Sequence, residues 1–221
     1  MAVILLAPLV LELYLLVPEI NELSATVIVI LIIFSLCNVI IIYARIPGVK
    51  AMYKCFPDLL PAQALLLPSN SSLNALTKQR YYKFLEEKIE TFSICGSDEE
   101  MRPMVATAVT WLIAKTRNEK QFPLIYEENI NFGFSYNLLG VKKFGVLLTI
   151  LGLIVNVSAL YLKWYKKLFF DLNANTLIAS LIIDLLFLVL WIGVVNKKLV
   201  KSCGKKYAYA LLAACDSSDL Q

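Results

Sequence analysis

Three long apolar runs constrain this chain more than any other feature. They occupy residues 24–43, 144–162 and 177–195. A helix of about 20 apolar residues spans the roughly 30 Å of hydrocarbon in a bilayer. Hydrophobic residues make up 59% of the 221 residues and charged residues 17%, whereas soluble domains average about 45–50% and about 25%. The sequence therefore predicts an all-α integral membrane protein.

The first segment, Ala2 to Val17, is apolar but short, and Pro8 and Glu12 interrupt it. It lacks the basic start and the small-residue cleavage site of a secretory signal. Two interpretations remain open: a short first span with Glu12 facing the other helices, or a re-entrant or interfacial helix. With the first interpretation, the fold class is a four-span helical bundle with a small helical cytoplasmic module.

The distribution of basic residues predicts the orientation. No Lys or Arg precedes Arg45, and the stretch from Arg45 to Lys143 holds 13 of the 21. Five more follow the last apolar run. Because cytoplasmic segments are rich in Lys and Arg, the central region and the C-terminus are expected in the cytoplasm. The predicted domains are two N-terminal membrane helices (1–45), a cytoplasmic helical module (46–142), two further membrane helices (143–196) and a basic amphipathic cytoplasmic tail (197–221).

Helical periodicity and capping signals predict the structure of the module. The second span is expected to end at Ile46-Pro47-Gly48. A first module helix starts at a cap at Thr77 or earlier, and a second runs from the Ser97–Glu100 capping box to about Lys115. Their predicted inner faces are Tyr81, Phe84, Leu85 and Ile89, and Met104, Ala108, Trp111 and Leu112. The tail helix is expected either to lie on the inner leaflet, to pair with another protomer or to cover its own module.

The composition excludes several chemistries. The chain has no histidine, and its five cysteines form no CxxC pair. His-based acid–base catalysis, a zinc knuckle and a disulfide framework are therefore not expected. No phosphate-loop or protease motif is visible. We expect neither an enzyme nor a cofactor.

Asp184 lies near the middle of the third apolar run. An ionisable side chain at membrane depth is costly and by default marks a functional site. Ser180 precedes it by one helical turn, and Asn156 lies at a similar depth in the preceding run. These residues, joined by Glu12, are predicted to line a pore in an oligomer, where acidic groups favour cations. The alternative is that they hold the helices together by hydrogen bonds.

Basic and aromatic residues alternate through the module and form a candidate polyanion site. Such residues bind a phosphate backbone and stack on bases. The alternative is that the aromatic residues fill the module core and the cations are ordinary cytoplasmic charges. The candidate residues are Lys78, Arg80, Lys83, Lys115, Arg117, Lys120, Tyr126, Asn129 and Phe134.

Residues 116–142, TRNEKQFPLIYEENINFGFSYNLLGVK, carry a Phe-Pro-Leu, Glu-Asn, Gly-Phe, Asn-Leu-x-Gly pattern. The pattern resembles that of the HalA-like membrane effectors of the bacterial Hailong anti-phage system, and the resemblance extends over residues 75–215. The chain differs at Ser135 and Tyr136, where that family is often basic. The pattern is carried by Phe122, Pro123, Leu124, Glu128, Asn129, Gly133, Phe134, Asn137, Leu138 and Gly140.

The resemblance implies a function. It implies a homo-oligomer, for which we expect a tetramer, in the bacterial inner membrane. The oligomer would be an ion channel gated by a nucleotide or a single-stranded oligonucleotide from a partner nucleotidyltransferase. Opening would depolarise the cell and arrest its growth. The competing interpretation of the residues is a non-conducting membrane scaffold for a cytoplasmic partner protein.

Overall fold

A computed structural model describes residues 2–16, 23–165, 173–218 and 220, without the side chains of residues 9, 11–16, 23–29 and 31. In these ranges the chain is all-helical and contains no strand. The helices are α1 (Ala2–Leu16), α2 (Leu23–Cys55), α3 (Pro61–Leu65), α4 (Ala75–Lys88), α5 (Asp98–Lys115), α6 (Pro123–Tyr165), α7 (Ala174–Val189) and α8 (Lys197–Ala213). A π-helical turn, Leu190–Val194, follows α7, and a 3₁₀ turn, Ala214–Asp216, follows α8.

Three of the described helices are long and apolar enough to cross a membrane. They contain Ile32–Cys55, Pro123–Tyr165 and Ala174–Val194. These helices indicate a membrane-inserted protein and correspond to the three apolar runs. The first segment is helical as α1, which is 15 residues long and is not among the three.

Two helix boundaries differ from the prediction. α2 does not end at Ile46-Pro47-Gly48 but continues through Pro47 to Cys55. Pro47 lacks an N–H group, so the helix continues there without one backbone hydrogen bond. The next residue, Gly48, packs directly on Asn137 of α6. α6 begins at Pro123, well before the predicted span, with the proline in the first turn, where its missing N–H group costs nothing.

The chain divides into two compact units. We call residues Met1–Ala51 with Tyr136–Lys197 the apolar unit, and Met52–Ser135 with Lys198–Gln221 the module. In this division residues 198–221 group with residues 52–135. Both α2 and α6 contribute residues to each unit, because the division falls inside these helices.

The Ser97 cap is confirmed, whereas the cap of α4 is the earlier residue Asn74, and Thr77 lies inside the helix. Asn74 caps α4 and accepts a hydrogen bond from the Leu76 N–H at 2.9 Å. Ser97 caps α5, where its Oγ accepts from the Glu100 N–H at 3.3 Å. Short polar side chains at these positions satisfy backbone donors that have no partner within the helix.

The module core contains the predicted face of α4 and a shifted face of α5. Tyr81, Phe84, Leu85 and Ile89 are all buried, as predicted. On α5 the prediction for Ala108 and Leu112 is correct, but Met104 and Trp111 are only partly buried. The buried stripe of α5 is Met101, Val105, Ala108, Val109 and Leu112. The shift arises because both faces of α5 are apolar enough that periodicity alone does not rank them.

The tail helix α8 covers its own module. Its buried residues are Val200, Gly204, Ala208, Leu211 and Leu212. Three of them, Ala208, Leu211 and Leu212, join the same core cluster as α4 and α5. Of the three interpretations of the tail, this is the arrangement that the structure shows.

Candidate functional site

In the apolar unit, α6 carries a stripe of small and polar side chains. Gly145, Thr149, Gly152 and Asn156 recur at intervals of four and three residues, so they share one face of the helix. Thr149 and Asn156 are fully buried. The Thr149 hydroxyl donates to the Gly145 carbonyl at 2.9 Å, which satisfies it within the helix. This face is therefore available for close packing against a neighbour.

Asp184 lies against this stripe. The Asn156 side-chain amide donates to Asp184 Oδ2 at 2.9 Å and to Ser180 Oγ at 3.0 Å. All three side chains are at most 1% exposed. Gly152 makes room for the carboxylate, because a Cβ there would lie 3.3 Å from Asp184 Oδ2. The structure thus brings together the three described members of the predicted intramembrane set.

The fourth member, Glu12, belongs to α1, but its side chain lies outside the described residues. The remaining three form a polar cluster between α6 and α7 of one chain. In this arrangement Asp184 faces Asn156, and its burial is complete without a second protomer. This geometry matches interhelical hydrogen bonding more closely than direct contact with a pore.

Sequence reasoning missed a second contact of the same two segments. Trp191, in the π-helical turn, is fully buried, and its ring covers Gly145 so closely that a Cβ there would lie 2.6 Å from Cδ2. Lys142 caps the turn: its Nζ donates to the Val195 carbonyl at 2.7 Å and the Ile192 carbonyl at 3.2 Å. Gly145 and Gly152 are seven residues apart, so both lie on one face of α6 and leave space there for the Trp191 ring and the Asp184 carboxylate. That spacing was the signal available in the sequence.

Lys78, predicted as a polyanion ligand, lies inside the module. It is 7% exposed, and its Nζ donates to the Leu67 carbonyl at 2.7 Å and to the Asn70 carbonyl. Burial lowers the pKa of Lys78, and the charge of Asp98 opposes that shift. Nearby, the Tyr82 hydroxyl donates to the Leu66 carbonyl, and burial raises the Tyr82 pKa to about 12. We therefore exclude Lys78 from the candidate surface, because its charge holds the 66–70 turn.

Two aromatic rings and two lysines form a continuous row on the module. The Phe84 and Trp111 rings meet edge to face, with centroids 6.3 Å apart. Lys88 Nζ lies 5.9 Å from the Phe84 centroid, and Lys115 Nζ lies 5.8 Å from the Trp111 centroid. Both lysines follow their ring by four residues, so each pair shares a helix face. Of these four residues, only Lys115 was predicted as a ligand. The four-residue spacing between each ring and its lysine was the signal available for the others.

The row continues into a cleft of about 350 Å³ at α4 and the 3₁₀ turn. Two further cations line it, Arg80 and Lys83, both predicted from the sequence. Arg80 forms a bidentate ion pair with Asp216, with Nε to Oδ1 at 2.7 Å and Nη2 to Oδ2 at 2.8 Å. The cleft is lined by Arg80, Lys83, Phe84, Glu87, Lys88, Cys215 and Asp216. We call Arg80, Lys83, Lys88 and Lys115, together with Trp111 and the largely buried Phe84, the basic–aromatic surface.

The thiol in the cleft is not suited to chemistry. Cys215 is 3% exposed, and burial, together with the charge of Asp216, raises its pKa to about 12. A thiol that stays protonated at neutral pH is a poor nucleophile. Among the described residues, no cluster of His, Cys, Asp and Glu could hold a metal ion. The lining of the cleft combines the three cations Arg80, Lys83 and Lys88 with the two carboxylates Glu87 and Asp216.

The remaining predicted ligands lie on other elements. Arg117 and Lys120 are exposed in the turn between α5 and α6. Tyr126, Asn129 and Phe134 are exposed on the first half of α6. Helical spacing places Tyr126 near Asn129, whereas Phe134 lies about 140° around the helix from Asn129. The structure therefore gathers Arg80, Lys83 and Lys115 with the aromatic row and leaves the other five exposed candidates at the α5–α6 turn and along α6.

The 116–142 motif combines exposed residues with helix packing. Gly140 lies against the backbone of α2, because a Cβ there would be 2.6 Å from Gly48 Cα. Asn137 packs on Gly48 in turn: a Cβ on Gly48 would lie 2.7 Å from Asn137 Cα. The Asn-Leu-x-Gly part of the motif thus forms the crossing of α2 and α6.

Comparisons of the chain with protein families, curated proteins and solved structures found no match.

Proposed function

We propose that the protein is a membrane effector that forms an oligomeric ion channel, gated by a nucleotide or oligonucleotide bound to the module. The observation that carries this proposal is the basic–aromatic surface, which combines cations and aromatic rings on a chain with three apolar helices. Opening of the channel would depolarise the bacterial inner membrane and arrest growth during phage infection, with the ligand made by a partner nucleotidyltransferase.

The surface suits a ligand that has both phosphates and bases. Lys83, Lys88 and Lys115 supply positive charge, and the partly exposed Trp111 offers a ring on which a base can stack. Arg80 is held by Asp216, but exposed ion pairs contribute only about 0–1 kcal/mol. A phosphate can therefore compete with Asp216 for the guanidinium, which would release the 3₁₀ turn that carries Asp216.

The apolar unit supports the membrane part of the proposal. Four spans, with α1 as a short first one, would place the module and the C-terminus in the cytoplasm, as the basic residues predict. Three or four helices are too few to enclose a pore, so conduction requires a symmetric oligomer, and we propose a tetramer. Since Asp184 is buried inside one chain, we assign it to the packing of α6 on α7 and not to the lumen.

Gating would use the continuity of α6. This helix carries Phe134 in the module and Asn156 in the polar cluster without a break. A ligand that binds one arrangement of the module more tightly would shift the population of α6–α7 packings. The shift is limited by the difference in ligand affinity between the two arrangements, so weak selective binding gives weak gating.

Ion flux from liposomes containing the purified full-length chain tests the proposed function. We expect flux that short single-stranded oligonucleotides or nucleotides switch, and Asp184→Asn should leave ion selectivity unchanged. A change in ion selectivity would indicate that Asp184 lines the pore. Absence of flux under every condition would contradict the channel and favour the scaffold, which the complete burial of Asp184 within one chain also fits.

The basic–aromatic surface makes a separate prediction about binding. Lys83→Gln, Lys88→Gln and Lys115→Gln should each weaken oligonucleotide binding and lower the slope of log K against log salt by about 0.7, because each lysine displaces a counterion from a single strand. The measurement is fluorescence anisotropy over a salt series. Lys201→Gln, at an exposed position of α8, is the matched control and should bind like the wild type. Equal effects of all four substitutions would indicate nonspecific attraction to net charge.

A further inference from the structure

One side of α2 packs inside the apolar unit and the other side is exposed. The packed side is Ile33, Cys37, Ile40, Ala44 and Gly48, which recur every three or four residues and are partly or fully buried. The exposed side includes Ile42 and Tyr43, with 70% and 68% of their surface accessible. Apolar residues facing outward at membrane depth are expected to face lipid and need no protein partner.

Asn38 breaks this pattern. It is exposed, yet it lies in the 24–43 run, which contains no charged residue. Its Nδ2 donates to the Phe34 carbonyl of its own helix at 2.9 Å. Among the described residues, no donor reaches its amide oxygen, and exposed Ser35 lies almost one turn earlier on the same side. Lipid tails offer an amide no hydrogen bonds, so this side of α2 is poorly suited to hydrocarbon.

We propose that the Asn38 side of α2 is a contact surface for a second copy of this chain. An amide is self-complementary, because it has both a donor and an acceptor. Asn38 side chains of symmetry-related copies lie at the same depth, so each can donate to the next, in a two-fold pair or around the ring of a tetramer, while the surrounding aliphatic residues pack together. A second copy is the occupant that the chemistry favours, since it supplies a matching amide at the same depth.

This inference rests on the membrane insertion in the proposed function but not on conduction. Cross-linking between copies requires no ion flux. Copies that cross-link while flux is absent would count against the channel and leave the contact intact. Ion flux from a protein whose copies do not cross-link would support the channel and count against the contact.

The experiment places a photo-activated cross-linking amino acid at Ile42, one turn after Asn38, in the full-length chain in native membranes. Tyr43 is the matched control: it is equally exposed but points about 140° away from Asn38 around the helix. We expect an adduct with the mass of two copies from position 42 and little from position 43. Equal yields, no adduct, or an adduct with a different protein would each overturn the proposal.

Substitution of Asn38 tests the hydrogen bonds themselves. In the position-42 background, Asn38→Leu should weaken association about 3- to 30-fold, the range expected for interhelical polar contacts. The effect is read from cross-linking yield as the protein is diluted in lipid. Asn38→Gln keeps the amide and should retain most of the association. Because Asn38 is exposed, folding of the chain does not depend on it, and a yield insensitive to Asn38→Leu would reject its role.

Discussion

Gly140→Ala is expected to destabilise the protein by roughly 1–3 kcal/mol, the usual range for overpacking. The added Cβ would lie 2.6 Å from Gly48 Cα and 2.5 Å from the Pro47 carbonyl carbon. Both are backbone atoms, so no side-chain rotation relieves the clash and the two helices must move apart. The measurement is the midpoint of unfolding of the detergent-solubilised protein, followed by circular dichroism.

The control for this prediction is Gly193→Ala. Gly193 belongs to the same unit, and a Cβ there would meet nothing within 4 Å. Replacing a glycine in helical backbone by alanine without a clash reduces the entropy of the unfolded chain, so this variant should be as stable as the wild type or more stable. If the Gly140 and Gly193 variants unfold at the same midpoint, α2 and α6 do not cross as described.

Asp184→Leu should destabilise the protein by roughly 1–3 kcal/mol, because it removes the acceptor of a buried amide. Asn156 Nδ2 donates to Asp184 Oδ2, and both side chains are fully buried. Asp184→Asn keeps an acceptor oxygen at the same place and should stay within about 1 kcal/mol of the wild type. The comparison of these two variants separates loss of the hydrogen bond from loss of the charge.

A double substitution tests whether the two side chains act as a pair. Asn156→Leu with Asp184→Leu removes both partners, so it should cost less than the sum of the single substitutions. The readout is again the unfolding midpoint of each variant in detergent. Additive costs would mean that Asp184 stabilises the protein through other contacts, and an unaffected Asp184→Leu variant would reject the cluster altogether.

The helical elements were largely predictable from the sequence, because their signals are local. Apolar runs of sufficient length, the caps at Asn74 and Ser97 and the spacing of Tyr81, Phe84, Leu85 and Ile89 depend on residues within one or two turns. The proximity of Asp184, Ser180 and Asn156 followed from their depth in two adjacent runs. In contrast, the continuation of α2 past Pro47 was not predictable, since a proline followed by a glycine is a local signal for the end of a helix.

The candidate surface was only partly predictable for the same reason. Charge and aromatic content identified Arg80, Lys83 and Lys115, but nothing local distinguishes them from Lys78, whose ammonium group is inside the module. The pairing of Phe84 with Trp111 and of Arg80 with Asp216 joins residues from different helices or turns. Such contacts become visible only when the helices are packed.

The sequence alone determined that this chain is helical, that three of its helices are apolar enough for a membrane, and where α5 and α8 begin, because hydrophobic length, periodicity and caps act over short distances. The tertiary structure decided which side of the other helices is covered, whereas periodicity already predicted the buried face of α4. In the folded chain Asp184 is buried against α6 and Lys78 is buried inside the module. The helix α8 packs in the module core, and Asn38 is exposed. Those outcomes depend on which surfaces meet across the fold, and residue order along the chain does not encode that locally.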